Sequence, residues 1–298
     1  MASVNGQDDG GTWPTGLDEA IRTTAADIAA TLRGASDTGA PVPGSRWTVG
    51  EAAAHLAQAN ELMAHLADGK ERGYGDGTPQ GLAEANQRAL AAFAERRAEP
   101  LAAMIVEQAE AFLESAARRP ASNASPTSHA SHASHASHPS DTAHASHGEL
   151  VTPMGPMSLD VLGSYLLTHM LGHGYDLARA LGRPHMLNRA RVELTLPFLI
   201  TAMPRVLDTT AAAGLTARYA IRLRGGACFG AAFTDGAMTV APSPPSRPDC
   251  TILTEPAAFL LMALGRLGPW GAVARGRVLT WGRKPWLAPR FPALFSPP

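Results

Sequence analysis

The chain has 298 residues, of which 45% are hydrophobic, and its formal net charge at pH 7 is -1. This length and composition predict a globular protein with room for two domains. The near-zero net charge argues against a protein that binds nucleic acid or an anionic membrane, and no apolar run approaches the roughly 20 residues of a membrane span.

The cysteine content is low and gives no metal-site pattern. The two cysteines, Cys228 and Cys250, lack the spacing of metal ligands, and we expect no disulfide framework. The first residues lack the positive and apolar parts of a signal peptide. These features predict a protein of the reducing cytoplasm.

The first part of the chain has the pattern of helices. Apolar residues at helical spacing predict a first helix over residues 17–35. Thr48 and Glu51 form a capping-box pattern, so we expect a second helix to begin there and to carry His55. Residues 80–118 are rich in alanine and helical in pattern, with Pro100 marking a start, a kink or a break.

Residues 121–148 differ from the rest of the chain. Ser, Ala and His dominate this segment, and six of the eleven histidines lie in it. Because it has no apolar face, we expect a disordered surface insertion. The alternative is metal binding by the segment itself, which would cost a flexible chain much entropy. Its histidines are His129, His132, His135, His138, His144 and His147.

A long helix is predicted over residues 158–181, and Gly182 and Pro184 follow it as stop signals. Within it, His169 and His173 are four residues apart, which places both side chains on one helix face. A third histidine from a neighbouring helix, His55, would complete a set of three neutral imidazoles. Such a set can hold a catalytic divalent ion and leave a position open for water or substrate. The alternative is that they are ordinary surface or core histidines.

The pattern changes after about residue 186. A short helical stretch over residues 190–213 leads into segments that alternate between apolar and polar residues. In residues 217–224, Arg222 and Arg224 lie opposite the apolar side chains, and Asp235-Gly236 predicts a hairpin turn. The order of elements predicts an α+β domain, with Trp270, Trp281 and Trp286 in its core. Other strands are predicted at 228–233, 237–241, 250–254 and 273–281, and an apolar helix at 256–267.

Two motifs resemble one known family. The segment Arg46-Trp-Thr-Val-Gly-Glu-Ala-Ala-Ala-His55-Leu-Ala and the segment His173-Gly-Tyr-Asp-Leu-Ala-Arg-Ala-Leu-Gly-Arg-Pro184 resemble the DinB-like, mycothiol-dependent maleylpyruvate isomerase family. Weaker matches at residues 261–266 and 275–283 resemble the sterol-carrier-type domain often fused to it. The resemblance covers most of the chain apart from the His-rich insertion.

The resemblance implies a DinB-like four-helix bundle over residues 1–185 and a sterol-carrier-like α+β domain over residues 186–298. It also implies a divalent metal, usually zinc, at positions matched here by His55 and His173. Many members have glutamate at the third position, where this chain has His169. That departure gives a more neutral donor set and a stronger Lewis acid, and it loosens the link to any one reaction.

The function implied is isomerisation or S-transfer on a small electrophilic metabolite, with mycothiol as a metal-bound thiolate. Asp176 is a candidate for orienting a ligand or binding cofactor, or else an exposed partner of Arg179 or Arg183. Arginines of the second domain, Arg222 and Arg224 among them, are candidates for holding a substrate carboxylate. The basic segment 256–298, which contains Arg266, could instead dock on the first domain. The oligomeric state, monomer or dimer, stays open.

Two other functions stay open at this point. One is a metal enzyme of the same fold that uses no thiol and polarises its substrate directly. The other is a non-catalytic protein that binds an apolar ligand in the second domain.

Overall fold

A computed structural model gives the structure of the chain and describes residues 12–70, 73–76, 78, 81–119 and 149–296. The predicted insertion at 121–148, with its six histidines, lies outside the described residues. Within the described part, none of the helices combines the length and the apolar character that crossing a membrane requires.

The N-terminal part is a helical bundle. Helices α1, α4, α2 and α5 pack in that cyclic order, each against the next, and α3 lies against α2. Their facing sides are apolar, with Leu56, Phe112 and Leu166 fully buried. This arrangement confirms the predicted bundle. The helices are α1 (Leu17–Arg33), α2 (Val49–Ala67), α3 (Leu82–Ala92), α4 (Ala98–Arg118) and α5 (Leu159–Ala180).

The start of α2 is fixed by its capping residues, as predicted. The Thr48 hydroxyl accepts a hydrogen bond from the Glu51 backbone N–H at 3.3 Å, and the Glu51 carboxylate accepts one from the Thr48 backbone N–H at 2.8 Å. These bonds satisfy two N–H groups that a helix start leaves free. The long alanine-rich pattern that follows divides into α3 and α4, and Pro100 lies in the first turn of α4.

Two glycines of α5 allow other elements to approach it closely. A Cβ at Gly174 would lie 2.9 Å from Ile28 of α1, and a Cβ at Gly172 would lie 2.9 Å from Leu264 of the C-terminal part. Real Cβ atoms are not found at such distances. The residues on both sides of His173 therefore bring the helix against two different partners.

The C-terminal part combines short helices with a sheet, which confirms the predicted α+β class. Its five-stranded sheet has the order β3-β2-β1-β4-β5, in which β1 and β4 are parallel and the other neighbours antiparallel. The elements are α6 (Arg189–Glu193), α7 (Leu196–Ala202), α8 (Thr209–Ala212), β1 (Ala217–Leu223), β2 (Cys228–Thr234), β3 (Ala237–Ala241), β4 (Cys250–Thr254), α9 (Pro256–Ala263), α10 (Pro269–Ala274) and β5 (Val278–Trp281).

The predicted alternation of β1 and the predicted hairpin are both present. Ile221 is buried on one face of β1, where it pairs with Ile252 of β4, and Arg222 is exposed on the other face. Asp235 and Gly236 connect β2 to β3 with φ values of 49° and 84°. A turn with two positive φ angles matches the twist of the strands that it joins.

Two sequence predictions for this part are wrong. The predicted strand 273–281 begins only at Val278, because Val273 belongs to α10, which Gly276 ends with a positive φ of 65°. The three tryptophans predicted to be core are exposed, at 70% for Trp270, 48% for Trp281 and 68% for Trp286. Trp281 lies on β5, an edge strand of the sheet.

The capping box gives a stability prediction with a matched control. Replacing Thr48 by Ala should lower the free energy of unfolding by about 1 kcal/mol, because the helix start loses a side-chain acceptor. Ser158 is also an N-cap residue, at the start of α5, but its side chain makes no capping hydrogen bond. Ser158→Ala should therefore have much less effect. Urea unfolding followed by far-UV circular dichroism measures both, and equal losses would contradict the prediction.

Candidate metal centre

The structure brings three histidines from two helices into one cluster. His55 of α2 and His169 of α5 face each other with their Nε2 atoms 3.1 Å apart. The ring centroid of His173 lies 5.0 Å from that of His55 and 4.6 Å from that of His169. One ligand atom from each ring lies within 4.8 Å of the others. The one-turn spacing on α5 and the packing of α2 against α5 together produce this arrangement.

The donor set fits a divalent metal ion. Among the described residues, the buried Nδ1 atoms of His169 and His173 have no hydrogen-bond partner. Leaving buried polar atoms unpaired costs free energy, so the packing of the two helices holds these rings in an arrangement that their own hydrogen bonds do not explain. Three imidazole nitrogens lie within 4.8 Å of one another here. A set of three imidazoles is the protein ligand set of many catalytic sites for zinc-type ions.

The surroundings keep the three imidazoles neutral. Burial lowers the pKa of His55 to about 4, with a smaller contribution from the positive charge of Arg266. The pKa values of His169 and His173 lie well below the ordinary value, mainly through burial and then through the neighbouring histidines and Arg266. A neutral imidazole has a free lone pair, which is the form that binds a metal. The protein therefore presents the ligands ready for an ion at neutral pH.

Aromatic rings form the walls around the cluster. The Trp47 ring lies 4.8 Å from the ring of His55 and 5.9 Å from that of His173. Tyr165 stacks on Phe198 at 4.2 Å and meets His169 edge-on at 6.3 Å. Burial raises the pKa of the Tyr165 hydroxyl, so this side chain stays neutral. The walls pack against the imidazoles and lower the local polarity.

An ion pair connects the cluster to the C-terminal part. Arg266 donates to both oxygens of Asp176, with contacts of 3.2, 3.2 and 2.7 Å. One Asp176 oxygen lies 3.6 Å from Nδ1 of His173. The sequence alternatives that paired Asp176 with Arg179 or Arg183 are therefore wrong, since the partner is Arg266. The carboxylate is mostly buried and lies directly behind His173.

A cavity of about 800 Å³ extends from the histidines into the C-terminal part. Arg266 lines it, so this arginine both docks on the bundle and faces the cavity. The structure does not bring Arg222 and Arg224 to this site. Both are exposed, and Arg224 pairs with Glu255 at 3.6 Å. The sequence signal for Arg266 was its place in a basic segment without acids.

The C-terminal part matches one known family. The model of the SCP-2 sterol transfer family matches residues 204–282. This match lies in the region that the sequence assigned to a sterol-carrier-like domain. The chain matches none of the curated proteins.

The fold is also similar to solved structures. A crystal structure of the mycothiol-dependent maleylpyruvate isomerase is 13% identical with a TM-score of 0.44, and a histidine-to-alanine mutant of it is 11% identical with a TM-score of 0.48. Each comparison covers 89% of this chain and 91% of the other. The sec-alkylsulfatase Pisa1 from Pseudomonas sp. is 15% identical with a TM-score of 0.32, over 96% of this chain and 33% of its own. These values assign no activity to this chain.

The cluster predicts a metal content that depends on His169. Because the chain has other histidines, the informative quantity is the difference between variants. His169→Ala should contain one equivalent of zinc less than the wild-type protein. His185→Ala, which changes an exposed histidine outside the cluster, should match the wild type. Mass spectrometry of dialysed, folded protein measures the content, and an unchanged value in His169→Ala would refute the ligand set.

The lowered pKa values predict that metal binding releases few protons. At pH 6, three ordinary histidines with a pKa near 6.5 would release about two protons in total. Here the release should be below about half a proton, because the site histidines are already neutral. Calorimetric zinc titrations in two buffers of different ionisation enthalpy measure the number. The protein used should have serine in place of the six histidines of segment 121–148. Release of two protons would show that burial does not lower the pKa values of the three histidines.

Proposed function

We propose that the chain is a metal-dependent enzyme whose centre is His55, His169 and His173 with a divalent ion, most simply Zn²⁺. The convergence of three neutral imidazoles on one point, one buried and two mostly buried, carries the proposal. Its substrate is a small electrophilic molecule, and it acts by isomerisation or S-transfer. When bound, the ion would hold a thiol cofactor in its nucleophilic thiolate form and polarise a carbonyl group.

The thiol in this proposal is mycothiol. Two motifs, around His55 and from His173 to Pro184, resemble the mycothiol-dependent family, and they contain two of the three histidines of the cluster. The described residues that line the cavity include no cysteine, so the protein itself supplies no thiol there. A diffusible thiol would enter the cavity beside the substrate. A cytoplasmic location, where such thiols are kept reduced, belongs to the same proposal.

The chain's own residues would prepare the site in three ways. Trp47 and Tyr165 would limit the access of water to the histidines, which strengthens electrostatic interactions there. Asp176 would orient His173 through its nearby carboxylate, as partners behind metal-bound histidines commonly do. Arg266 would hold Asp176 in place and add positive charge that favours a bound anion.

We also propose that the chain divides into two domains, residues 1–185 and residues 186–298. In this division the bundle supplies the ligands and the sterol-carrier-like domain supplies Arg266 and much of the cavity. Its partners are then a small-molecule substrate and the thiol cofactor, without nucleic acid or membrane.

A second candidate is a metal enzyme that uses no thiol. The observation that favours it is His169, because many family members have glutamate there. Three neutral ligands leave the full charge of the ion to act on a substrate carbonyl. A third candidate, a non-catalytic carrier of an apolar ligand, is supported by the SCP-2 match and by the cavity.

Cobalt substitution separates the thiol-dependent function from the second candidate. Mycothiol added to the cobalt-loaded protein should produce the intense near-ultraviolet absorption of a cobalt thiolate. His169→Ala should lose this absorption, and S-methylated mycothiol, which cannot form a thiolate, should not produce it in any variant. If the wild-type protein binds cobalt but gives no such absorption, the thiol-dependent function is excluded and the second candidate is favoured.

A further inference from the structure

The cavity has walls of two kinds. The histidine cluster and the residues of α5 form one wall. The other walls are apolar and come from both parts of the chain. The bundle contributes Leu62, Met63 and Leu66 of α2, and the C-terminal part contributes Met203, Ile252, Phe259, Val278 and Phe291. Ile252 and Val278 lie on neighbouring strands of the sheet, β4 and β5. The cavity therefore extends from a candidate metal centre to the face of a sheet.

The charged residues of the cavity lie on one side of it. The charged side chains in its described lining are Asp176, Arg179 and Arg266. The first two belong to α5, and Arg266 is bound to Asp176. Among the described lining residues, none on the sheet side is charged. A ligand that extends from the histidines to the sheet thus meets polar partners at one end and hydrocarbon at the other.

The size of the cavity also favours a ligand with a large apolar portion. At about 30 Å³ per molecule, 800 Å³ corresponds to roughly 25 water molecules. Most of these would face apolar side chains and would lack hydrogen-bond partners, which favours their replacement by an apolar ligand. The volume lies in the range of cavities that enclose a drug-sized molecule. A short, fully polar acid would leave the sheet side unfilled.

We propose that the substrate of the histidine centre is an amphiphile, with a polar, metal-binding head and an uncharged hydrocarbon tail. The head binds at His55, His169 and His173, and the tail lies against Ile252 and Val278 of the sheet. This inference rests on the proposed metal-dependent function and adds the chemical class of the substrate. The C-terminal part is then the site that selects the tail.

Alkyl hydroxamic acids test the proposal, because their head binds a metal and their tail can be lengthened. The probe is the full-length, cobalt-loaded protein, titrated with acetohydroxamate and hexanohydroxamate. The visible absorption of cobalt reports binding of the head. Each buried methylene should tighten binding roughly fourfold, so the hexanoyl compound should bind at least roughly 100-fold more tightly. His169→Ala lacks one of the three metal ligands, so neither hydroxamate should change the visible absorption of cobalt with this variant. This variant controls for non-specific binding.

Two variants at Ile252 locate the tail. Ile252→Trp should fill the sheet side and remove most of the gain from the longer tail, whereas Ile252→Val should keep it. Unchanged binding of acetohydroxamate would show that Ile252→Trp is folded and that the metal site is intact. If that variant does not fold, Val278→Phe tests the same wall.

The possible results separate this inference from the function on which it rests. A length-dependent gain that Ile252→Trp removes supports the amphiphile. Equal binding of both hydroxamates overturns the amphiphile and leaves the metal centre in place. A gain that persists in Ile252→Trp overturns the placement of the tail against the sheet. A protein that binds no metal at the cluster overturns both proposals.

Discussion

The close packing of three imidazoles against one another is the constraint on which the rest of the structure depends. Two of their nitrogens have no partner among the described residues, and the Nε2 atoms of His55 and His169 lie 3.1 Å apart. Such a cluster is unfavourable unless the scaffold holds it or an ion satisfies it. The scaffold does so through ordinary means: a capped start of α2, the one-turn spacing on α5, and glycines beside His173. Because the three histidines are brought together only in the folded state, the binding of an ion to them would stabilise that state.

The parts of the fold that depend on local sequence could be predicted. The capping box of Thr48 and Glu51 locates the start of α2, and the positive φ angles of Asp235-Gly236 make the hairpin. The spacing of His169 and His173 places both on one face of α5, and this needs only helix geometry. His55 joins them because α2 and α5 are neighbours in the bundle, and this contact between distant segments follows from no local pattern.

The parts that depend on contacts between distant segments could not be predicted. Asp176 and Arg266 are 90 residues apart, and no periodic pattern connects them. Arg222 and Arg224 have the same chemistry as Arg266, so residue type alone could not identify the arginine that faces the cavity. Tryptophan is highly buried on average, so residue type alone favours a core position for the three tryptophans. Burial depends on what covers a residue, however, and Trp281 lies on an edge strand.

The ion pair between Asp176 and Arg266 makes the candidate metal centre dependent on the position of the C-terminal part. Arg266 holds both oxygens of a carboxylate that lies 3.6 Å from a ring nitrogen of His173. A displacement of Arg266 would therefore move the carboxylate that lies beside a candidate ligand. The C-terminal part thus acts on the environment of the cluster, although it contributes none of the three histidines.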